Sequence, residues 1–338
     1  MTAVLPATAD GIGVTVIPSR NWLVSPAFDA LMVANVTWPL ILLLQFREGF
    51  EGRAGLQFWQ VYFVTTPHRW ITLALVFLDR ERFRQRRFLF VGILVCAIAI
   101  CTTVRITTGA LTCLLTIDYI WNAWHFAAQH QGIYRIYGRL TEVAPPRQVI
   151  VERWLLRFFL LYVTLRVAIA TWSSATSDSI FATLDWVVPA VPLALLVRDA
   201  ANWTRVARGR LLYLASVSSL YLGLLWAVHF RKPGLALALT TASALFHAVE
   251  YLAVVSWSVR KRNANRSESR DWLGIIATQW SLSLGAFLVV LGSGAWLLDQ
   301  GWAEHWLFLN VVVAFLHYAF DGVIWRHRPA RTSGLSAS

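Results

Sequence analysis

Four histidines stand inside long apolar stretches: His68, His125, His247 and His317. An imidazole at membrane depth is costly in hydrocarbon, so each ring should face a protein interior or a cavity. Each also has polar company at helical spacing, where residues three or four apart share a face. In Thr116–Gly132, TIDYIWNAWHFAAQHQG, the residues Asp118, Asn122, His125 and Gln129 form one stripe. Gln57, Gln60 and Thr72 flank His68, and Thr240, Ser243 and Glu250 share the stripe of His247. Asn310 and Asp321 share that of His317. A carboxylate one turn from a histidine, as in His247–Glu250 and His317–Asp321, builds metal sites in the cores of helix bundles.

The donor set favours iron, because imidazole suits iron, zinc and copper while carboxylates push toward iron or manganese. A structural zinc site would usually involve cysteine, but Cys96, Cys101 and Cys113 lie off these stripes without a CxxC pair. A divalent cation would offset Glu250, Asp321 and Asp118, which are costly to bury unpaired. The expected ligands are His68, His125, His247 and His317, with Glu250 and Asp321 ligating or fixing the imidazole tautomers. One or two Fe2+ ions fit this set; a two-iron centre would recruit Asp118 and His130. Asp118, Glu250 and Asp321 are the candidate catalytic carboxylates. Tyr119, Trp121, Trp124, Tyr251, Tyr318 and Phe320 are expected to shape an apolar substrate pocket.

Other readings use the same residues. A single buried histidine bonded to a neighbouring helix is the ordinary structural case. A His/Glu/Asp relay serves proton-coupled transport equally well. An intramembrane histidine can be the base of an acyl or group transferase, and paired histidines can hold haem, which ranks below non-haem iron here. His130 is either a ligand or an edge residue. His229, His305 and His327 fall at segment ends and are expected to be solvated. Arg69 and Arg166 lie at depth, where each should pair with an acid such as Asp118 or Asp29, or orient a ligand carboxylate or a polar substrate end.

The elements that must position these groups follow from composition. The chain has 338 residues, 57% of them hydrophobic and 14% charged, with a mean hydropathy of +0.55. That pattern predicts an all-α, polytopic membrane protein of about ten transmembrane helices in one bundle. The spans fall near 22–45, 55–78, 88–107, 109–133, 154–174, 181–198, 211–229, 235–258, 272–298 and 305–326. At 1.5 Å rise per residue the four histidines then lie roughly 18–24 Å from the outer ends of their segments, in one layer. Residues 1–20 read as a cytoplasmic leader without a cleavable signal, 21–330 as the helical domain, and 331–338 as a disordered tail. No soluble domain and no fixed-period repeat is visible.

The net charge is +12. Arginines cluster after alternate segments, at 80–87, 135–153, 198–210, 260–270 and 326–331. Cytoplasmic loops collect positive charge, so this pattern points to a plasma (inner) membrane protein with both termini cytoplasmic, and not to nucleic-acid binding. Trp22, Trp154, Trp203, Trp272, Trp302 and Trp306 are placed as interfacial anchors, and Trp121 and Trp124 deeper.

No P-loop, Rossmann glycine fingerprint, HExxH or GxSxG is present. Pro67-His68, His125 and the His317–Asp321 pair in LHYAFDGVIW resemble motifs of the Brp/Blh-type carotene-cleaving membrane oxygenases. The paired-histidine box of that family is not reproduced; Gln129-His130 and His247–Glu250 stand in its place. The resemblance implies an iron(II) site under helices that open a channel to lipid. The expected partners are the lipid bilayer, a lipophilic small-molecule substrate and an electron donor.

Overall fold

The computed structural model describes residues 21–47, 58–141, 145–172, 178–264 and 276–325, and all regular structure among them is helical. The expected leader 1–20, the tail 331–338, Gln57, Trp272 and His327 lie outside the described residues, as do Arg53, Arg266, Arg270, Arg326, Arg328 and Arg331.

The chain enters through α1 (Pro26–Phe28), which runs into a π-turn at Asp29–Val33, and then α2 (Trp38–Arg47). Asp29 fastens this entry: it accepts from the backbone N–H groups of Leu23 and Val24 and from the Tyr137 hydroxyl at 2.9 Å. A second helical unit is built from α3 (Phe58–Gln60), a π-turn at Val61–Thr65 and α4 (Thr66–Phe77). The short α5 (Arg80–Gln85) leads into α6 (Arg87–Thr108), which ends at Gly109 with φ 66°. Only glycine takes that left-handed cap without strain. Then come α7 (Thr112–Gly138), α8 (Pro146–Trp172), α9 (Asp178–Val187), α10 (Ala190–Ala201), α11 (Arg208–His229), α12 (Pro233–Ala264) and α13 (Trp280–Ile324).

Helix α13 has 45 residues but doubles back. Near its start Trp280 Nε1 donates to Ser256 Oγ at 2.8 Å, and near its end Asp321 accepts from Tyr251 OH at 2.6 Å. Ser256 and Tyr251 are five residues apart on α12, roughly 7.5 Å along the axis, whereas a straight helix of the length of α13 would span roughly 68 Å. The reversal is at Trp302, whose φ of −141° and ψ of 40° are not helical.

Among the described residues, seven helical stretches are long and apolar enough to cross a membrane. Helix α7 and the α3–α4 unit are not among them, because polar residues lower their hydropathy: Asp118, Asn122 and His125 in one, Gln60, His68 and Arg69 in the other. Outward faces are apolar, as lipid contact requires: Phe88 and Ile106 on α6, Phe158 on α8, Ile180 on α9 and Val290 on α13 are all exposed.

Three apolar cores hold the helices together. One joins α7, α8, α11 and α12 through Tyr134, Phe159, Tyr213, Leu220 and Phe246. Another joins α4, α6, α7 and the second arm of α13 through Val76, Phe90, Leu114, Phe315 and Phe320. The third joins α4 and α12 to Trp280. The four histidines lie where these cores meet.

Several expected environments differ. Arg166 does pair with an acid, but the acid is Asp185: its guanidinium donates to both carboxylate oxygens at 2.8–3.2 Å. His229 is only partly exposed and also bonds Asp185, at 3.0 Å. Trp306 is buried and stacks on Trp70. Arg198 and Arg210 are not free loop charges. They clamp Glu152 and Asp199 around the Tyr134 hydroxyl, tying α7, α8, α10 and α11 together at one end.

Candidate metal centre

His68 owes its position to the residue before it. Pro67 has no N–H and its ring would strike the carbonyl four residues back in a regular helix. The π-turn at Val61–Thr65 takes up the misfit, so that Pro67 falls in the first turn of α4, where proline is tolerated. His125 comes from α7, His247 from α12 and His317 from the second arm of α13, and all four rings are buried.

The rings form a closed loop. Ring centres are 5.2 Å apart from His68 to His247, 5.1 Å from His247 to His125, 4.6 Å from His125 to His317, and 5.2 Å from His317 back to His68. An ion held at ~2.1 Å by one nitrogen of each ring would lie roughly 3.2 Å from every ring centre, which sets neighbouring centres about 4.5–5.2 Å apart for square to tetrahedral arrangements. The observed loop matches that range. Ligand atoms of His68, His247 and His317 lie within 4.8 Å of one another, as do those of His125, His317 and Asp321.

Five buried ring nitrogens have no hydrogen-bond partner: His68 Nδ1, His125 Nε2, both nitrogens of His247, and His317 Nε2. One such orphan is an expense of about 1–3 kcal/mol. Four of them, one from each ring, could donate their lone pairs to one cation; the other nitrogen of His247 carries that ring's N–H and is not accounted for by the ion. The donor set therefore fits a metal ion.

Asp321 divides its two oxygens. Oδ1 accepts from Tyr251 OH at 2.6 Å and Trp325 Nε1 at 3.3 Å. Oδ2 faces His125 Nε2 at 3.8 Å and His317 Nε2 at 3.9 Å, too far for hydrogen bonds. His317 Nδ1 points the other way, 2.6 Å from Thr72 Oγ1. His247 lies flat on Phe126, with ring centres 3.8 Å apart.

The other candidates fall into neighbouring networks. Glu250 accepts from Gln129 at 2.7 Å and Tyr213 at 2.8 Å, and lies 3.0 Å from His130 Nδ1. His130 also contacts Tyr213 and Tyr221. Gln129 further donates to the His247 carbonyl at 3.0 Å, so this network braces the backbone behind that ring. Asp118 accepts from Tyr318 OH at 2.9 Å, beside Asn122, and interacts electrostatically with Arg69. Neither of the two ligand groups contains His130, Glu250 or Asp118.

Of the aromatic candidates, Tyr251 and Tyr318 pack against the imidazoles, at 5.1 Å from His317 and 4.9 Å from His125. Trp121 and Trp124 lie on the outward surface, 36% and 41% exposed, and Trp121 touches Tyr318. Phe320 packs away from the rings, against Phe77 and Phe90. Tyr119 bonds the Thr164 carbonyl of α8.

No protein-family model, curated protein or solved structure matches this chain.

Sequence reasoning passed over Tyr213, Tyr221 and Phe126. Tyr213 and Tyr221 stand eight residues apart on one face of α11, a signal that could have paired them with His130. Nothing in the local sequence marks Phe126, because its contact is made across helices.

Proposed function

We propose that this chain is an integral membrane metalloenzyme, a non-haem iron oxygenase acting on a lipophilic substrate. The observation that carries the metal site is the loop of four imidazoles with partnerless nitrogens facing one another. His68, His125, His247 and His317 would hold one Fe2+ ion, with Asp321 Oδ2 beside it. The engagement of Glu250, His130 and Asp118 in their own hydrogen bonds supports one ion over two. Oxygen activation is the chemistry iron would supply. Oxygenase chemistry and a lipophilic substrate rest on the motif resemblance at Pro67-His68, His125 and His317–Asp321, and on the membrane setting.

The chain's own groups would do the positioning. Phe126, Tyr318 and Tyr251 wall the rings and exclude water. An apolar substrate could approach from lipid past Trp121, whose outer face is exposed and whose inner contact is Tyr318. Reducing equivalents would come from a separate electron donor.

In this reading ten spans cross the membrane. The reversal at Trp302 makes two spans of α13, and the α3–α4 unit and α7 join the apolar seven. The arginine-rich ends would face the cytoplasm, with both termini there, in a plasma membrane.

The test is metal analysis of detergent-purified protein after anaerobic iron loading, with single His→Ala variants at positions 68, 125, 247 and 317. Near-stoichiometric iron, lost in each variant, is expected. Full retention in all four variants, or no iron in the parent, rejects the proposal. A haem Soret band would redirect it.

A proton-coupled carrier is the second reading. It is favoured by the interrupted helix directly before His68, since transporters build ion sites at broken helices. Proton flux in proteoliposomes without bound metal would select it.

A further inference from the structure

We infer that Thr72 and Tyr251 are positioning residues that hold His317 as its Nδ1–H tautomer, leaving the Nε2 lone pair turned toward the other imidazoles. What that lone pair binds rests on the metal-site reading above. Where the proton sits rests on hydrogen bonds alone.

Counting protons along the chain of contacts gives the assignment. With Asp321 ionised its Oδ1 has no proton to give, and it accepts from Trp325 Nε1, 3.3 Å away, which can only donate. Tyr251 OH donates to the same oxygen at 2.6 Å, which commits the single phenol proton. Thr72 Oγ1 lies 2.6 Å from the Tyr251 oxygen, so the proton in that contact comes from Thr72. The remaining contact, 2.6 Å from Thr72 Oγ1 to His317 Nδ1, then has the imidazole as its donor. The reverse polarity would leave the Thr72 and Tyr251 oxygens 2.6 Å apart with no proton between them, which is repulsive. The longer approach of Thr72 to Asp321 Oδ1, 3.5 Å, changes nothing, because a hydroxyl turned there has no proton for His317 either.

A neutral imidazole protonated on Nδ1 offers Nε2 as a lone pair, and the partner of the first nitrogen decides this. His317 Nε2 is one of the orphaned atoms. The arrangement is economical in sequence. Thr72, Tyr251 and Asp321 each stand four residues after a site histidine, His68, His247 and His317. The same turn of three helices that delivers three rings also delivers the three groups that orient one of them.

The experiment is 15N NMR of the full-length, histidine-labelled protein in lipid nanodiscs after chelator treatment, with His317 assigned by difference from His317→Gln. It is paired with Co2+ titration of the same samples. The parent is expected to show Nδ1–H and bare Nε2 at His317. Thr72→Val and Tyr251→Phe should give a mixture of tautomers and bind Co2+ about 10–100-fold more weakly, while Thr72→Ser should stay within about threefold of the parent. A proton on Nε2 of His317 in the parent overturns the inference, as does an unchanged tautomer and affinity in Thr72→Val. Nδ1–H in a parent that takes up no Co2+ would sink the metal reading and leave the tautomer assignment standing. Tight Co2+ binding with Nε2–H would do the opposite.

Discussion

His125 and His317, carried by α7 and the second arm of α13, meet with ring centres 4.6 Å apart and planes at 65°, and the Nε2 atom of each is buried without a hydrogen-bond partner. Two neutral rings gain little from that contact. Its cost is met if both nitrogens address a third body between them.

Bound metal should stabilise the fold. A ligand present at a hundred times its Kd adds about 2.7 kcal/mol to a protein that binds it only when folded. Loading with Fe2+ under anaerobic conditions should therefore raise the thermal midpoint in detergent, and chelation should reverse the shift. An identical midpoint with and without metal would count against the site.

Glu250 should matter for stability and little for metal content. Glu250→Ala strips Tyr213, Gln129 and His130 of a shared buried acceptor. Removing one member of a buried charged network costs about 3–5 kcal/mol. The variant should melt earlier, yet the folded fraction should keep the parent's metal stoichiometry. Loss of metal at unchanged stability would make Glu250 a ligand instead.

Arg166 and Asp185 should behave as a unit. Asp185→Ala removes the carboxylate that a buried guanidinium holds with both of its oxygens, and also takes the partner of Tyr162 and His229. A loss of about 3–5 kcal/mol is expected. Combining it with Arg166→Met should recover most of that loss in a double-mutant cycle followed by thermal melting. Additive effects would mean that the pair contributes little as a pair.

Gly292 and Gly294 should respond oppositely to alanine. A Cβ on Gly292 would sit 2.6 Å from Phe63 Cδ1 and 2.9 Å from the Tyr62 carbonyl, where α13 crosses the π-turn before His68. Overpacking there should cost about 1–3 kcal/mol and disturb the metal site through His68. A Cβ on Gly294 meets nothing within 4 Å, so Gly294→Ala should be neutral or slightly stabilising. Equal melting temperatures for the two variants would remove this close crossing from the account.

Much of the architecture is written in the chain itself. Long apolar blocks make helices, because only a helix satisfies every backbone group within one segment in hydrocarbon. Polar stripes at helical spacing single out His68, His125, His247 and His317 and their partners Thr72 and Asp321, because the 3.6-residue period fixes which side chains share a face without reference to any other helix. Pro67 and Gly109 likewise act locally, through a missing N–H and a missing Cβ.

Tertiary structure decided what each stripe meets. Period gives a helix its face but not its rotation, depth or neighbour; those come from packing against side chains of other helices. That is why Arg166 found Asp185, and Glu250 went to Tyr213 and His130 in place of the four clustered imidazoles. The reversal at Trp302 is of the same kind. It brings His317 and Asp321 back beside His68 and Tyr251, a juxtaposition that depends on two arms of one helix packing against α4 and α12 and on nothing that can be read within either arm alone.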